Sequence, residues 1–149
     1  MPYGWQQKGK QVCLLPRDSK RLNILGFLSP DNRLYTYDTE GIINSEFVIK
    51  SIEDLINQFD KPTVIVLDNA PIHRCGAFYD KLDEWQEKDV YIFFLPKYSP
   101  HLNIIEVLWR FIKYYWLKPK NFISWGRLKK AIKNIIVNYG QEFKINFTR

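Results

Sequence analysis

Two short apolar runs limit what this chain can fold into. Thr63-Val64-Ile65-Val66-Leu67 is the first, and Val90-Tyr91-Ile92-Phe93-Phe94-Leu95 is the second. Unbroken runs of β-branched and aromatic residues suit strands buried on both faces, as in a parallel sheet covered by helices. The first run delivers Asp68 and Asn69 to the point where it stops. The second is followed by a turn at Tyr98-Ser99-Pro100, then by Asn103 and Glu106 on a helix expected to begin near Leu102. Ligands of such sheets sit at the carboxyl ends of the strands. Asp68 is predicted there, and Glu106 follows the end of the next strand. Two carboxylates converging on a sheet's edge point to a divalent-metal site.

The flanking sequence supplies the rest of an α/β fold. Leu22 to Leu28 reads as a strand, Ser29-Pro30-Asp31-Asn32 as a turn and Leu34 to Tyr37 as the returning arm of a hairpin. Asn44 or Ser45 caps a helix with Val48, Ile52, Leu55, Ile56 and Phe59 on one face. A second helix is predicted over Gly76 to Glu87, with Phe78, Leu82 and Trp85 as its buried stripe. Pro119 should end or kink the Glu106 helix. Ser124 caps a last helix with Leu128, Ile132, Ile135, Ile136 and Tyr139 along one side and Gly140 as its stop. Met1 to Arg21 reads largely as loop, with a short strand at Gln11 to Leu15. A hairpin followed by helix–strand–helix–strand–helix says α/β, and 149 residues suit one domain.

Charge narrows the function. Residues 1–30 carry a net +4, residues 31–109 a net −7 and residues 110–149 a net +9. An acidic centre between basic ends fits a metal-dependent enzyme that grips a polyanion beside its carboxylates; a solvated basic tail without a partner would give the same balance. Candidate phosphate contacts are Arg74, Arg127, Lys129, Lys130 and Lys133. No run approaches membrane-spanning length, and Cys13 and Cys75 offer neither metal-ligand spacing nor a disulfide framework. There is no Gly-x-Ser-x-Gly elbow and no Gly-rich phosphate loop beside Asp68.

The chemistry suited to Asp68 and Glu106 is phosphodiester cleavage. In-line displacement develops charge on the entering and leaving oxygens, and two Mg²⁺ ions about 3.5–4 Å apart, held by carboxylates, stabilise both. Asn103 lies one turn before Glu106 on the same face. His73, five residues beyond Asp68, is placed to orient a phosphate or a water, or to support the acid.

Leu67-Asp68-Asn69-Ala70-Pro71-Ile72-His73 and Leu95-Pro96-Lys97-Tyr98-Ser99-Pro100-His101-Leu102-Asn103-Ile104-Ile105-Glu106-Val107-Leu108-Trp109 resemble the catalytic core of DDE transposases. Within these, the likeness is to the bacterial insertion-sequence branch of the mariner-like superfamily. Pro2-Tyr3-Gly4-Trp5 with Lys8-Gly9, and Leu25-Gly26-Phe27-Leu28-Ser29-Pro30-Asp31, resemble further segments, so the likeness covers nearly the whole chain in order. It implies a ribonuclease-H-like fold, a mixed sheet flanked by helices. It also implies an Asp, Asp, Glu triad that uses Mg²⁺ or Mn²⁺ to cut transposon ends and join them to target DNA. Asp68 matches the second acid and Glu106 the third, with 37 residues between them. Asn69, His73 and Asn103 match positions around the metal. A Pro usually follows the family's Asn, where this chain has Ile104. The implied setting is the bacterial cytoplasm at the nucleoid, with transposon-end and target DNA as partners, self-association and no membrane.

One departure is large. The resemblance puts the first catalytic Asp upstream of the segment like Tyr3-Gly4-Trp5. Of Asp18, Asp31 and Asp38, none ends a buried run as Asp68 does. The expectation is a C-terminal part of a transposase, truncated, frameshifted, excised or one half of a complementing pair, and inactive alone. Its sheet would lack the first, central strand, leaving two half-sheets with unpaired edges. Two other readings remain open. One is a non-catalytic DNA-binding remnant using the basic segment from Arg110 to Arg149; the other is a different ribonuclease-H-like nuclease.

Overall fold

The computed structural model describes residues 20–73, 75–97 and 99–147; the strand expected at Gln11 to Leu15, the segments around Tyr3 and Lys8, Arg74 and Tyr98 lie outside these. Strands β1 (Asn23–Leu28) and β2 (Leu34–Thr39) pair antiparallel, with Asn23 opposite Thr39 and Leu28 opposite Leu34. Their turn is held by the Ser29 hydroxyl bonded to the Asp31 carboxylate. Asn32 closes it at a φ of 64°, a left-handed conformation that asparagine adopts with little strain.

Helix α1 (Ser45–Ile56) begins at Asn44, whose side chain accepts the Phe47 N–H at 2.9 Å. Ser45 is freed for another task and donates to the Ile72 carbonyl at 2.7 Å, anchoring the loop after the Asp68 strand. Strand β3 (Thr63–Leu67), helix α2 (Gly76–Gln86) and strand β4 (Val90–Phe94) form a βαβ unit. β3 and β4 run parallel, with Thr63 opposite Val90 and Leu67 opposite Phe94. Parallel neighbours need a crossover, which α2 provides. Asp89, at a φ of 57°, turns the chain from α2 into β4.

The next helical stretch differs from the sequence reading at both ends. A 3₁₀ turn occupies Pro100–Leu102 and Asn103 is extended (φ −92°, ψ 100°), so helix α3 starts at Ile104 and ends at Phe111. A π-helical turn, Ile112–Trp116, continues it before the chain leaves at Leu117. Pro119 therefore opens a 3₁₀ turn, Pro119–Ile123, after the helix has already stopped. Helix α4 (Trp125–Val137) starts at the expected cap, Ser124, which accepts the Arg127 N–H at 3.2 Å.

Two apolar clusters hold these elements. The first joins Val48, Ile52 and Leu55 of α1, Ile65 and Leu67 of β3, Phe78 and Trp85 of α2 and Val90 of β4, with Leu25, Phe27 and Tyr35 of the hairpin against it. Val48, Ile52 and Phe78 are fully buried, and each such side chain contributes roughly 1.5–3 kcal/mol. The second cluster centres on Leu108, Ile112, Ile135, Tyr139 and Ile145, and it takes Leu28 and Leu34 from the hairpin.

The expectation of strands buried on both faces fails for β3 and β4. Ile65, Leu67 and Val90 are buried, but Val64 is 62% exposed, Phe93 56%, and Val66 and Tyr91 are also exposed. Among the described residues, helices cover one face of this pair only. Among the described residues β1 pairs with β2 alone and β3 with β4 alone. The facing strands β1 and β3 line one cleft of about 490 Å³, floored by apolar residues that include Ile24, Gly26, Val64, Val66, Ile105 and Trp109. The result is a mixed α/β fold of small sheets flanked by helices.

Candidate active site

Asp68 stands immediately beyond β3, where the strand's own hydrogen bonding has stopped. Its Oδ1 accepts the Ala70 N–H at 3.2 Å and lies 3.1 Å from His73 Nδ1. The same ring nitrogen is 3.2 Å from the Asp68 carbonyl. Carried on a neutral ring, an Nδ1 proton is donated to the Asp68 carbonyl and holds the ring beside the carboxylate. The His73 side chain is only 8% exposed, against 53% for Asp68, so the base is hidden while the acid reaches solvent. His73 Nε2 is buried without a partner among the described residues. The ring leans on Phe78 with centroids 5.9 Å apart.

Glu106 lies in the first turn of α3, whose positive dipole end favours a carboxylate. Its backbone N–H bonds to the Asn103 carbonyl at 3.0 Å. Asn103 holds the N-cap position but makes no side-chain capping bond. Asparagine is a preferred capping residue, so a side chain that forgoes the cap is available to the acids instead. Asp68, Asn69, Asn103 and Glu106 all line one cavity of about 140 Å³ beside the larger cleft, together with Leu95, Pro96, Lys97 and Ser99.

Asn69 has a structural task there. Its Nδ2 donates to the Leu95 carbonyl, and the Leu95 N–H bonds to the Leu67 carbonyl at 2.8 Å. The two bonds tie the ends of β3 and β4 and set the spacing of the loops that carry the acids. Lys97 also lines this cavity. It lies inside the second long motif, and a cation lining an acidic cavity is suited to a phosphate oxygen.

The donor set suits a hard divalent cation, with carboxylate oxygens on Asp68 and Glu106 and an amide oxygen on Asn103. No group of three His, Cys, Asp or Glu that could hold a metal ion occurs among the described residues. The expected DNA contacts are apart from this cavity. Arg127, Lys130 and Lys133 are exposed on α4. Lys129 is engaged by Glu40 at 2.7 Å, an ion pair that lowers the Glu40 pKa. Arg74 lies outside the described residues. Among the described residues no helix is long and apolar enough to cross a membrane.

Comparison with known families gives a match to the DDE superfamily endonuclease family over residues 1–129. No curated protein and no solved structure matches the chain. The family match takes in both strand pairs, both carboxylates and the whole loop between β4 and α3, and the chain belongs to the DDE superfamily endonucleases.

Proposed function

We propose that this chain is catalytic-domain sequence of a transposase of the mariner-like insertion-sequence branch, cutting transposon-end DNA and joining it to a target. The observation that carries this reading is the cavity shared by Asp68, Glu106 and Asn103 at the end of the parallel strands. Asp68 and Glu106 would hold Mg²⁺ or Mn²⁺, with Asn103 as a further oxygen donor. Bound there, the metal would stabilise charge on the entering and leaving oxygens of an in-line displacement. His73 braces the backbone of Asp68 beside the cavity, and Lys97 offers a cation to the phosphate.

The fold we propose is ribonuclease-H-like. The cleft between β1 and β3 supports this, since a further strand placed there would pair with both edges that are free among the described residues and join the two small sheets into one. A carboxylate at that strand's end would stand beside Asp68 and complete three acids. Strand transfer would then depend on a segment filling the cleft. Alternate amides of β1 and β3 should exchange rapidly while the cleft is open. Protection along both edges would count against an open cleft.

Calorimetric titration with Mn²⁺ tests the site. Binding should be lost or strongly weakened by Asp68→Ala and by Glu106→Ala. His73→Ala should weaken it by about 10–100-fold, as loss of a ligand's supporting hydrogen bond does. Metal binding indifferent to both acids would end the catalytic reading. A second reading, a DNA-binding remnant without catalysis, is favoured by the exposed Arg127, Lys130 and Lys133 of α4. It requires salt-sensitive DNA affinity that neutralising Lys129, Lys130 and Lys133 reduces and the acid substitutions leave alone.

A further inference from the structure

We infer that the outer side of α3 and its π-helical continuation is a track for one DNA strand, ending in a tyrosine platform for an unpaired base. The inference rests on the DNA-acting reading above, and extends it to residues outside the acidic cavity.

The geometry starts at Glu106. Residues four apart on a helix are neighbours on one side, and the series Glu106, Arg110 and Tyr114 is exposed at every position. Lys113 is exposed beside it, whereas Leu108 and Ile112, on the opposite side, are buried in the second cluster. A stripe of one acid, two cations and an aromatic therefore leads away from the carboxylate cavity along a single rigid element. Charge continues the pattern, because no acidic residue occurs between Val107 and Gln141.

The π turn gives the far end its character. Such turns are rare and are found disproportionately at functional sites. Here Ile112–Trp116 carries two adjacent tyrosines outward, Tyr114 at 57% exposure and Tyr115 at 59%. They are not equivalent. Tyr115 is occupied, its ring 5.1 Å from that of Phe111 and its carbonyl taken by Lys118 Nζ at 2.9 Å. Among the described residues, the Tyr114 ring is met by Lys113 Nζ alone, 5.2 Å from its centre. A cation lying over an exposed ring pairs a phosphate contact with a stacking surface, which is the combination that single-stranded nucleic acid requires. Duplex DNA would have Arg110 and Lys113 on its phosphates, and a base released from pairing would rest on Tyr114.

The test measures binding of the full chain, without divalent metal, to a short blunt DNA duplex and to the same duplex with a single-stranded extension at one 3′ end. Tyr114→Ala should weaken binding to the extended DNA by about tenfold and leave the blunt duplex nearly unchanged. Tyr114→Phe should restore it, because the stacking face is kept. Arg110→Gln and Lys113→Gln should weaken both DNAs and each lower the salt-dependence slope by about 0.9 on duplex. Salt-sensitive binding indifferent to these three residues overturns the track and leaves the transposase reading standing. Failure of the unsubstituted chain to bind either DNA overturns both.

Discussion

The two strand pairs are built from similar residues but meet different surroundings. The β1–β2 hairpin is covered on both faces. Leu25, Phe27 and Tyr35 pack toward α1, while Leu28 and Leu34 join the cluster under α3 and α4. The β3–β4 pair is covered on one face and leaves Val64, Val66, Tyr91 and Phe93 in solvent. Helix α3 accounts for the difference: Ile105 and Trp109 lie against Gly26 of β1, while Val64 and Val66 of β3 stay exposed. Among the described residues, the parallel pair's need for burial is met on one side only, next to a cleft flanked by two free strand edges. Exposed apolar surface beside unpaired backbone marks a place where another segment is expected to bind.

The sharpest way to break this comparison is along β3 itself. Ile65 is buried in the first cluster, so Ile65→Ala should cost about 2–5 kcal/mol in urea unfolding. A cost near zero would mean that the parallel pair is loosely held on its covered face as well. The hairpin supplies the next largest effect. A methyl group on Gly26 would sit 2.8 Å from Trp109 Cζ2 and 3.1 Å from Ile105 Cδ1. Gly26→Ala should therefore destabilise by about 1–3 kcal/mol through overpacking, with a change in tryptophan fluorescence as the ring moves. Neutral behaviour would show that α3 does not press on β1 in solution.

Much of this was legible in sequence, because local chemistry decided it. Hairpin, βαβ unit and caps follow from turn residues, apolar spacing and capping side chains, and the elements stand in the order read. What was not legible depends on contacts distant in sequence. Whether Val64 and Val66 are covered is settled by where α3 comes to lie, some forty residues later, and an apolar run looks the same with one face covered or two. Of the cavity's residues, Asp68 was findable because it ends an apolar run and Glu106 because it follows the next run on a helix. Lys97 was not, since a lone loop lysine carries no periodicity, and the burial of His73 depends on Phe78 in α2. The Glu40 partner of Lys129 was equally invisible.

A third prediction concerns a latch that the turn chemistry alone did not reveal. Asn32 donates to the Ile145 carbonyl at 3.0 Å and accepts the Tyr139 hydroxyl at 2.6 Å, pinning the segment after α4 to the hairpin tip. Asn32→Ala removes these bonds and puts alanine at a positive φ, at a cost of about 1–2 kcal/mol. Amide exchange at Ile145 should rise with it; unchanged exchange would leave the latch without effect. Burial raises the Tyr139 pKa from 10.0 to about 12, so the folded state favours the neutral phenol. That stabilisation is complete below pH 10 and is lost as pH rises through about 12.

The smallest expected effect tests the open face directly. Val66 neighbours Ile65 in sequence but points the other way, as alternate residues of a strand must. Val66→Thr keeps the β-branched shape while replacing a methyl with a hydroxyl, so on an exposed face it should change stability by no more than about 0.5 kcal/mol. Sedimentation should show reduced self-association of the variant if this face is where copies of the chain meet. A destabilisation approaching that of Ile65→Ala would mean instead that Val66 is buried in the folded chain. The hydroxyl would then be desolvated without a partner, and the contrast between the two strand pairs would disappear.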